Sequence, residues 1–341
     1  MLTKIKDMFK KNEKTYFYAN LIRFSRNEEF RDCVRSFNSC DVIHIQHPGE
    51  LFPQSIYYCI KNHGSGFWSE VLLTMQYLQF AELFKLVPVI CWDKSGIYVE
   101  DFPINGTKNG FEYYFERVSE IEYQKVYDCR NVIYSTIRHR FPDGKQLEYP
   151  DYFSRIERYG TLYKTFFHLN AVTKKYIRNN IDNIFMNSRG GVLGVHIRGT
   201  DYKKAYVNHP VCLNLEDYEE PIHLLLKKYN FKKIFLATDS LEALDFMKKK
   251  FGKLLVYYED VQRSSGEVGN FEVASTRKNH HYLLGLEVLR DAYTLANCDA
   301  LISGLSAVSL AAHYIKIADG AKYDEAIIID HGINRVGDKN R

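Results

Sequence analysis

Between Gly191 and Tyr202 the chain reads GVLGVHIRGTDY, an apolar, β-rich run that stops at His196, Arg198 and Asp201. A strand over Val192 to Ile197 would release those three side chains at its carboxyl end, where open α/β sheets bind ligands. A guanidinium placed there offers the planar, paired donors that hold a phosphate. The same spacing also suits a plain ion pair between Arg198 and Asp201 on a loop, an alternative that this segment alone leaves standing.

Three further sites carry the same pairing of a chemical and a bland account. Asp239, in LATDS, follows a second expected strand, and with Glu242 it also fits a capping-box start to the next helix. Asp291, in LRDAY, falls mid-helix, where pairing with Arg290 or simple solvation competes with hydrogen bonding to a nucleobase. Ser303-Gly304-Leu305-Ser306 follows a strand and opens a helix, so its hydroxyls and N–H groups would converge on an anion, although an N-cap explains Ser306 equally well. In the first half, His63-Gly64-Ser65-Gly66 precedes a long apolar helix. Gly64 and Gly66 would let backbone approach a ligand beside that helix N-terminus, and a tight turn is the competing account.

Whole classes of chemistry drop out. No Walker loop, HExxH, GxSxG or His/Cys metal spacing is present, and no DxD between strands suggests metal-held sugar nucleotides. A net charge of +4 from 46 basic and 42 acidic residues makes no basic stripe of the kind nucleic acids require. Seven cysteines (Cys33, Cys40, Cys59, Cys91, Cys129, Cys212 and Cys298) are odd in number and lack any CxxC pair, which argues against a disulfide framework and a zinc cluster. Neither a signal-peptide core nor a membrane-length apolar run is seen, so a cytosolic protein is expected. The start, MLTKIKDMFKKNEK, has the spacing of a short basic amphipathic helix, with a solvated terminal helix and peripheral membrane contact through residues 1–14 as its two readings.

The elements that must position these residues follow from periodicity. In the first half, strands are expected over Val42 to Ile45, Ser55 to Ile60 and Val87 to Trp92. The helix Trp68 to Phe84 turns Val71, Leu72, Met75, Leu78 and Ala81 inward. Residues 94 to 150 are rich in Tyr and Phe without clean periodicity, and Phe153 to Phe185 is helical up to the break at Arg189-Gly190-Gly191. Beyond it, strands Val192–Ile197, Ile234–Thr238, Leu254–Tyr257, Ala300–Ser303 and Ala326–Ile329 alternate with helices Pro221–Tyr229, Leu241–Phe251, His281–Asn297 and Ala307–Ile315. Such alternation implies α/β architecture with parallel sheets in two Rossmann-like domains, 1–188 and 189–341, facing a central cleft.

HIRGTD, then IFLATDS, then LRDAYTLANCDALISGLSAVSL resembles the C-terminal half of the GDP-fucose-dependent fucosyltransferases of the α1,6 type, a superfamily with α1,2- and protein O-fucosyltransferase branches. The resemblance covers about Gly191 to Ile315. It implies a GT-B-like fold and an inverting glycosyltransferase that needs no metal and moves L-fucose from GDP-β-L-fucose to a glycan hydroxyl. The setting it implies is bacterial surface polysaccharide synthesis. By the same resemblance Arg198 holds the β-phosphate, His196 lies beside guanine or ribose, Asp291 reads guanine, and Ser303 to Ser306 and Gly64 to Gly66 lie against the diphosphate. Asp201 and Asp239 would organise the site. Two departures stand out: Gly199 replaces a second arginine, and Lys203 to Tyr206 replaces a stretch that carries a glutamate in the α1,6 enzymes. The general base is therefore open among Glu70, Glu216 and Asp217, or is the leaving phosphate itself.

Overall fold

The computed structural model describes residues 45–135, 149–186 and 191–336. The chain forms two compact units, Met1–Leu147 and Glu148–Arg341. The basic segment 1–14, residues 42–44 of the first expected strand and residues 187–190 of the expected junction lie outside the described residues. No helix among the described residues is long and apolar enough to cross a membrane.

In the first unit, β1 (Ile45–Gln46), β2 (Tyr57–Lys61), β3 (Val87–Cys91) and β4 (Val132–Tyr134) form a sheet in the order β1-β4-β2-β3. β2 runs parallel to β3 and β4, while the short edge strand β1 is antiparallel to β4. Helix α1 (Phe67–Phe84) links β2 to β3. Its expected inward residues are buried, and so are Phe67, Trp68, Tyr77 and Phe80 on its other sides. A helix apolar all round needs cover on more than one face. The aromatic segment after β3 supplies it: the ring of Phe67 meets those of Trp92, Tyr98, Tyr114 and Phe115. The segment stays irregular because its polar backbone is satisfied by side chains. Asn109 donates to the Ile90 carbonyl (2.7 Å) and accepts from the Trp92 N–H (2.9 Å).

The second unit is built on a fully parallel sheet: β5 (Val192–Ile197), β6 (Lys233–Thr238), β7 (Leu255–Val256), β8 (Ala300–Gly304) and β9 (Glu325–Ile329), in the order β7-β6-β5-β8-β9. Alternate residues face opposite layers. Leu193, Val195 and Ile197 join Ile222, Leu225, Leu236 and Met247 on one side, and Val192 joins Phe235, Leu295, Cys298 and Ala312 on the other. Burial on both faces explains the near-continuous apolar runs of the sequence. Strand order reverses between β5 and β8, the switch point at which such sheets open a crevice beyond their carboxyl ends.

The helical stretch before β5 corrects the expected domain boundary. It is three helices, α2 (Tyr149–Ser154), α3 (Ile156–Phe166) and α4 (Ala171–Phe185), the last capped by Asn170 accepting from Thr173 N–H at 2.9 Å. All three belong to the second unit, so the units divide at 147/148 and not near 188. The reason is packing. Gly160 of α3 lies so close to the last helix, α8 (Ala307–Ala318), that a Cβ there would stand 2.5 Å from Ile317 Cγ2. Tyr163 shares a hydrogen bond with Tyr293 (2.8 Å) of α7 (His280–Asn297), and Tyr176 of α4 accepts one from the buried Arg290 (2.7 Å). The remaining helices, α5 (Glu219–Tyr229) and α6 (Leu241–Phe251), connect β5 to β6 and β6 to β7.

Candidate nucleotide site

At the switch point His196 of β5 pairs in register with Ser303 of β8. The His196 ring is 4% exposed, and its Nδ1 lies 3.3 Å from the Ser306 hydroxyl. Burial, helped by the nearby charge of Arg198, pushes its pKa down to about 3, so the imidazole is neutral and acts by hydrogen bonding. Ser303 is fully buried with its hydroxyl unpartnered. Ser306 is the N-cap of α8, accepting from Ser309 N–H at 3.0 Å. The capping account of Ser306 therefore holds, and the open hydroxyl of this loop is that of Ser303.

Arg198 leaves the end of β5 with its guanidinium one-quarter exposed, one terminal nitrogen on Asp201 and the other on Asp239. Its plane also lies 4.9 Å from the ring of Tyr202. The ion pair and the anion site are thus compatible, because a guanidinium carries more N–H donors than these two contacts use. Asp239 corrects the capping expectation. The cap of α6 is the next residue, Ser240, which accepts from Ala243 N–H at 3.2 Å, while Glu242 accepts from the Ser240 hydroxyl (2.8 Å) and from Gly266 N–H (2.7 Å). Asp239 instead accepts from Gly199 N–H (3.0 Å) and the Thr200 hydroxyl (2.8 Å). Gly199 has a steric reason to be glycine, since a Cβ there would stand 2.7 Å from the Ser240 Cβ.

Asp291 is 8% exposed and accepts no hydrogen bond among the described residues. Burial raises its pKa to about 7 against the pull of Arg290 and Arg263. Its sequence neighbour is not its partner. Arg290 turns to Asp260 through both terminal nitrogens (2.6 and 3.0 Å) and to Asn180 (3.1 Å). One turn before Asp291 on α7, Glu287 accepts from Gln262 N–H (3.0 Å) and pairs with Arg277. Sequence reasoning passed over Glu287, although its i, i+4 spacing to Asp291 places both on one helix face. It also passed over Thr200, for which no local pattern gives a signal.

The proposed bases fare differently. In the first unit Glu70, 3% exposed, accepts from His63 N–H (2.9 Å) and Ser65 N–H (2.6 Å), which pins the glycine loop to the start of α1. Gly64 has a φ of +72°, a conformation that favours glycine, and Gly66 caps α1 with open space where a Cβ would stand. Asp217 accepts from Asn214 N–H (2.8 Å) in the capping box of the short 310 turn Leu215–Tyr218, and Glu216 is exposed on that turn. Among the described residues no three His, Cys, Asp or Glu side chains gather as a metal-binding group.

No protein-family model and no curated protein matches the chain. Among solved structures it is similar to the fucosyltransferase NodZ from Bradyrhizobium, at 18% identity and a TM-score of 0.46, over 81% of this chain and 96% of that one. A NodZ α-1,6-fucosyltransferase structure soaked with GDP-fucose gives 19% identity and a TM-score of 0.43 over 76% and 93% of the two chains. POFUT1 in complex with GDP-fucose gives 9% identity and a TM-score of 0.47 over 80% and 97%.

Proposed function

We propose that the second unit binds a nucleoside diphosphate sugar at the β5/β8 switch point, and that the chain is an inverting fucosyltransferase using GDP-β-L-fucose. The observation that carries the reading is the guanidinium of Arg198, held by two carboxylates at the end of β5, the strand whose His196 pairs in register with Ser303 and its unpartnered hydroxyl. The HIRGTD motif and its two companions supply the choice of GDP and fucose by resemblance. In this reading Arg198 and Ser303 meet the diphosphate, neutral His196 lies beside guanine or ribose, and Asp291 accepts from the base. Transfer breaks the bond between the anomeric carbon and the diphosphate oxygen and forms one to an acceptor oxygen from the opposite face. Arg198 offsets the charge that develops on leaving GDP, and no metal is invoked. The acceptor proton goes to a carboxylate or to the leaving phosphate. The acceptor is a glycan hydroxyl, in the bacterial surface-glycan setting that the resemblance implies.

One rival is a protein that binds the nucleotide without turnover: Asp217 and one oxygen of Glu70 are engaged by backbone N–H groups, although the second Glu70 oxygen is buried without a hydrogen-bond partner. Calorimetric titration with GDP, UDP, CMP, GDP-fucose and GDP-mannose in the presence of a chelator tests the binding half. GDP-selective binding is the expected result, and preference for UDP or CMP would discard guanine and fucose together. Release of GDP with a fucosylated product, from any acceptor, excludes the rival.

A further inference from the structure

Thr200 is fully buried at a φ of +50°, a conformation that β-branched residues rarely adopt and that persists only where surrounding contacts enforce it. Its hydroxyl lies 2.8 Å from Asp239 Oδ2 and 3.1 Å from Asp201 Oδ1. Those two oxygens are the ones that grip opposite terminal nitrogens of Arg198. A hydroxyl has a single proton, so it donates to one carboxylate at a time, and the shorter contact assigns that proton to Asp239.

We infer that Thr200 is a positioning residue of the anion site: its hydroxyl serves as an exchangeable donor for the two carboxylates that hold Arg198. The inference rests on the reading of Arg198 as a phosphate ligand. Where the guanidinium meets a phosphate by easing its hold on one of the two carboxylate oxygens, that part-buried oxygen loses a donor, which is costly. The Thr200 hydroxyl reaches either one without any backbone change. The left-handed turn matters because it brings the hydroxyl back between Asp201, its immediate neighbour, and Asp239, at the end of the adjacent strand.

The test is Thr200→Val, which keeps volume and branching and deletes the hydroxyl, beside Thr200→Ser, which restores it. Thr200→Ala serves as a second hydroxyl-free variant should the valine protein not fold. One readout needs no ligand: the 13C titration of the Asp201 and Asp239 carboxyl groups, assigned with Asp201→Asn and Asp239→Asn. Loss of a donor to a carboxylate raises its titration midpoint, so the midpoints should move up in the hydroxyl-free variant and return in Thr200→Ser. GDP binding should weaken about tenfold or more, as loss of a charge-assisted hydrogen bond implies. Unmoved midpoints would overturn the inference whatever GDP does. Moved midpoints with GDP binding equal to that of the parent would overturn the donor-exchange role. Should the parent not bind GDP at all, the proposed function fails, and the titration alone decides whether Thr200 positions the clamp.

Discussion

Arg198 shows how one side chain can be both structural and functional. Its two terminal nitrogens are spoken for by Asp201 and Asp239, which fixes the guanidinium plane and leaves further N–H groups for an anion. Lysine cannot hold two carboxylates in a plane and still present a fork. Arg198→Lys should therefore keep the fold, seen as an unchanged circular dichroism spectrum, and weaken GDP binding by about 2 kcal/mol, roughly thirtyfold. Asp291 makes a second residue-scale prediction. Its pKa rises in the folded chain from 3.8 to about 7 because it is buried, so the folded state binds its proton more tightly than the unfolded state does. That contribution is complete below about pH 4 and is lost as the pH climbs through 7, on the order of 4 kcal/mol in all. Asp291→Asn removes the titration. Urea unfolding should find the variant more stable than the parent at pH 8 with no such advantage at pH 4, and calorimetry should find it weaker for GDP if the carboxyl reads a base. His196 moves the opposite way: with a folded pKa near 3 it favours the folded state above its unfolded value of 6.5, and that contribution fades as the pH falls toward 3.

At the scale of elements, the site is a junction of the ends of β5, β6 and β8 with the starts of α6 and α8. The turn after β5 lies against the cap of α6, where Gly199 faces the Ser240 Cβ at a distance that no side chain tolerates. Gly199→Ala should cost about 1 to 3 kcal/mol through overpacking, measured by denaturant titration, and should weaken GDP binding too because Arg198 is the preceding residue. A surface turn without that contact would lose neither. The serine cap of α8 was legible, since Ser306 sits just before an apolar helical period. Assigning the cap of α6 to Asp239 failed by one residue, because Asp and Ser are near-equal caps and only the position of β6 shows that Asp239 points at Gly199 and Thr200.

For the whole molecule, the clearest consequence is where the second unit begins. A fragment starting at Glu148 retains α3 and α4, whose Tyr163 and Tyr176 bond to α7, whereas one starting at residue 189 exposes Arg290 and the α8 face that Gly160 covers. Thermal melts should show a cooperative transition for the first fragment and a broad or absent one for the second. Loss of cooperativity in both would mean that the second unit depends on the first. The strands and helices from Val192 onward were readable within three residues at either end, because a strand buried on both faces and a one-sided helix each stamp a short-range period on the chain. Residues 94 to 134 were not readable, as the order of much of this stretch comes from rings packed on α1 and from Asn109. By itself, then, the sequence determined the element types, the cap of α8 and the position of His196, Arg198 and Ser303 at or just past the ends of their strands, all of which depend on residues a few positions apart. Only the tertiary structure decided that α2 to α4 belong with the second sheet, that strand order reverses between β5 and β8, that Arg290 bonds to Asp260, and that Thr200 stands between two carboxylates. Those outcomes are choices among chemically equivalent partners tens of residues apart, and only the packed crossovers bring one of them within reach.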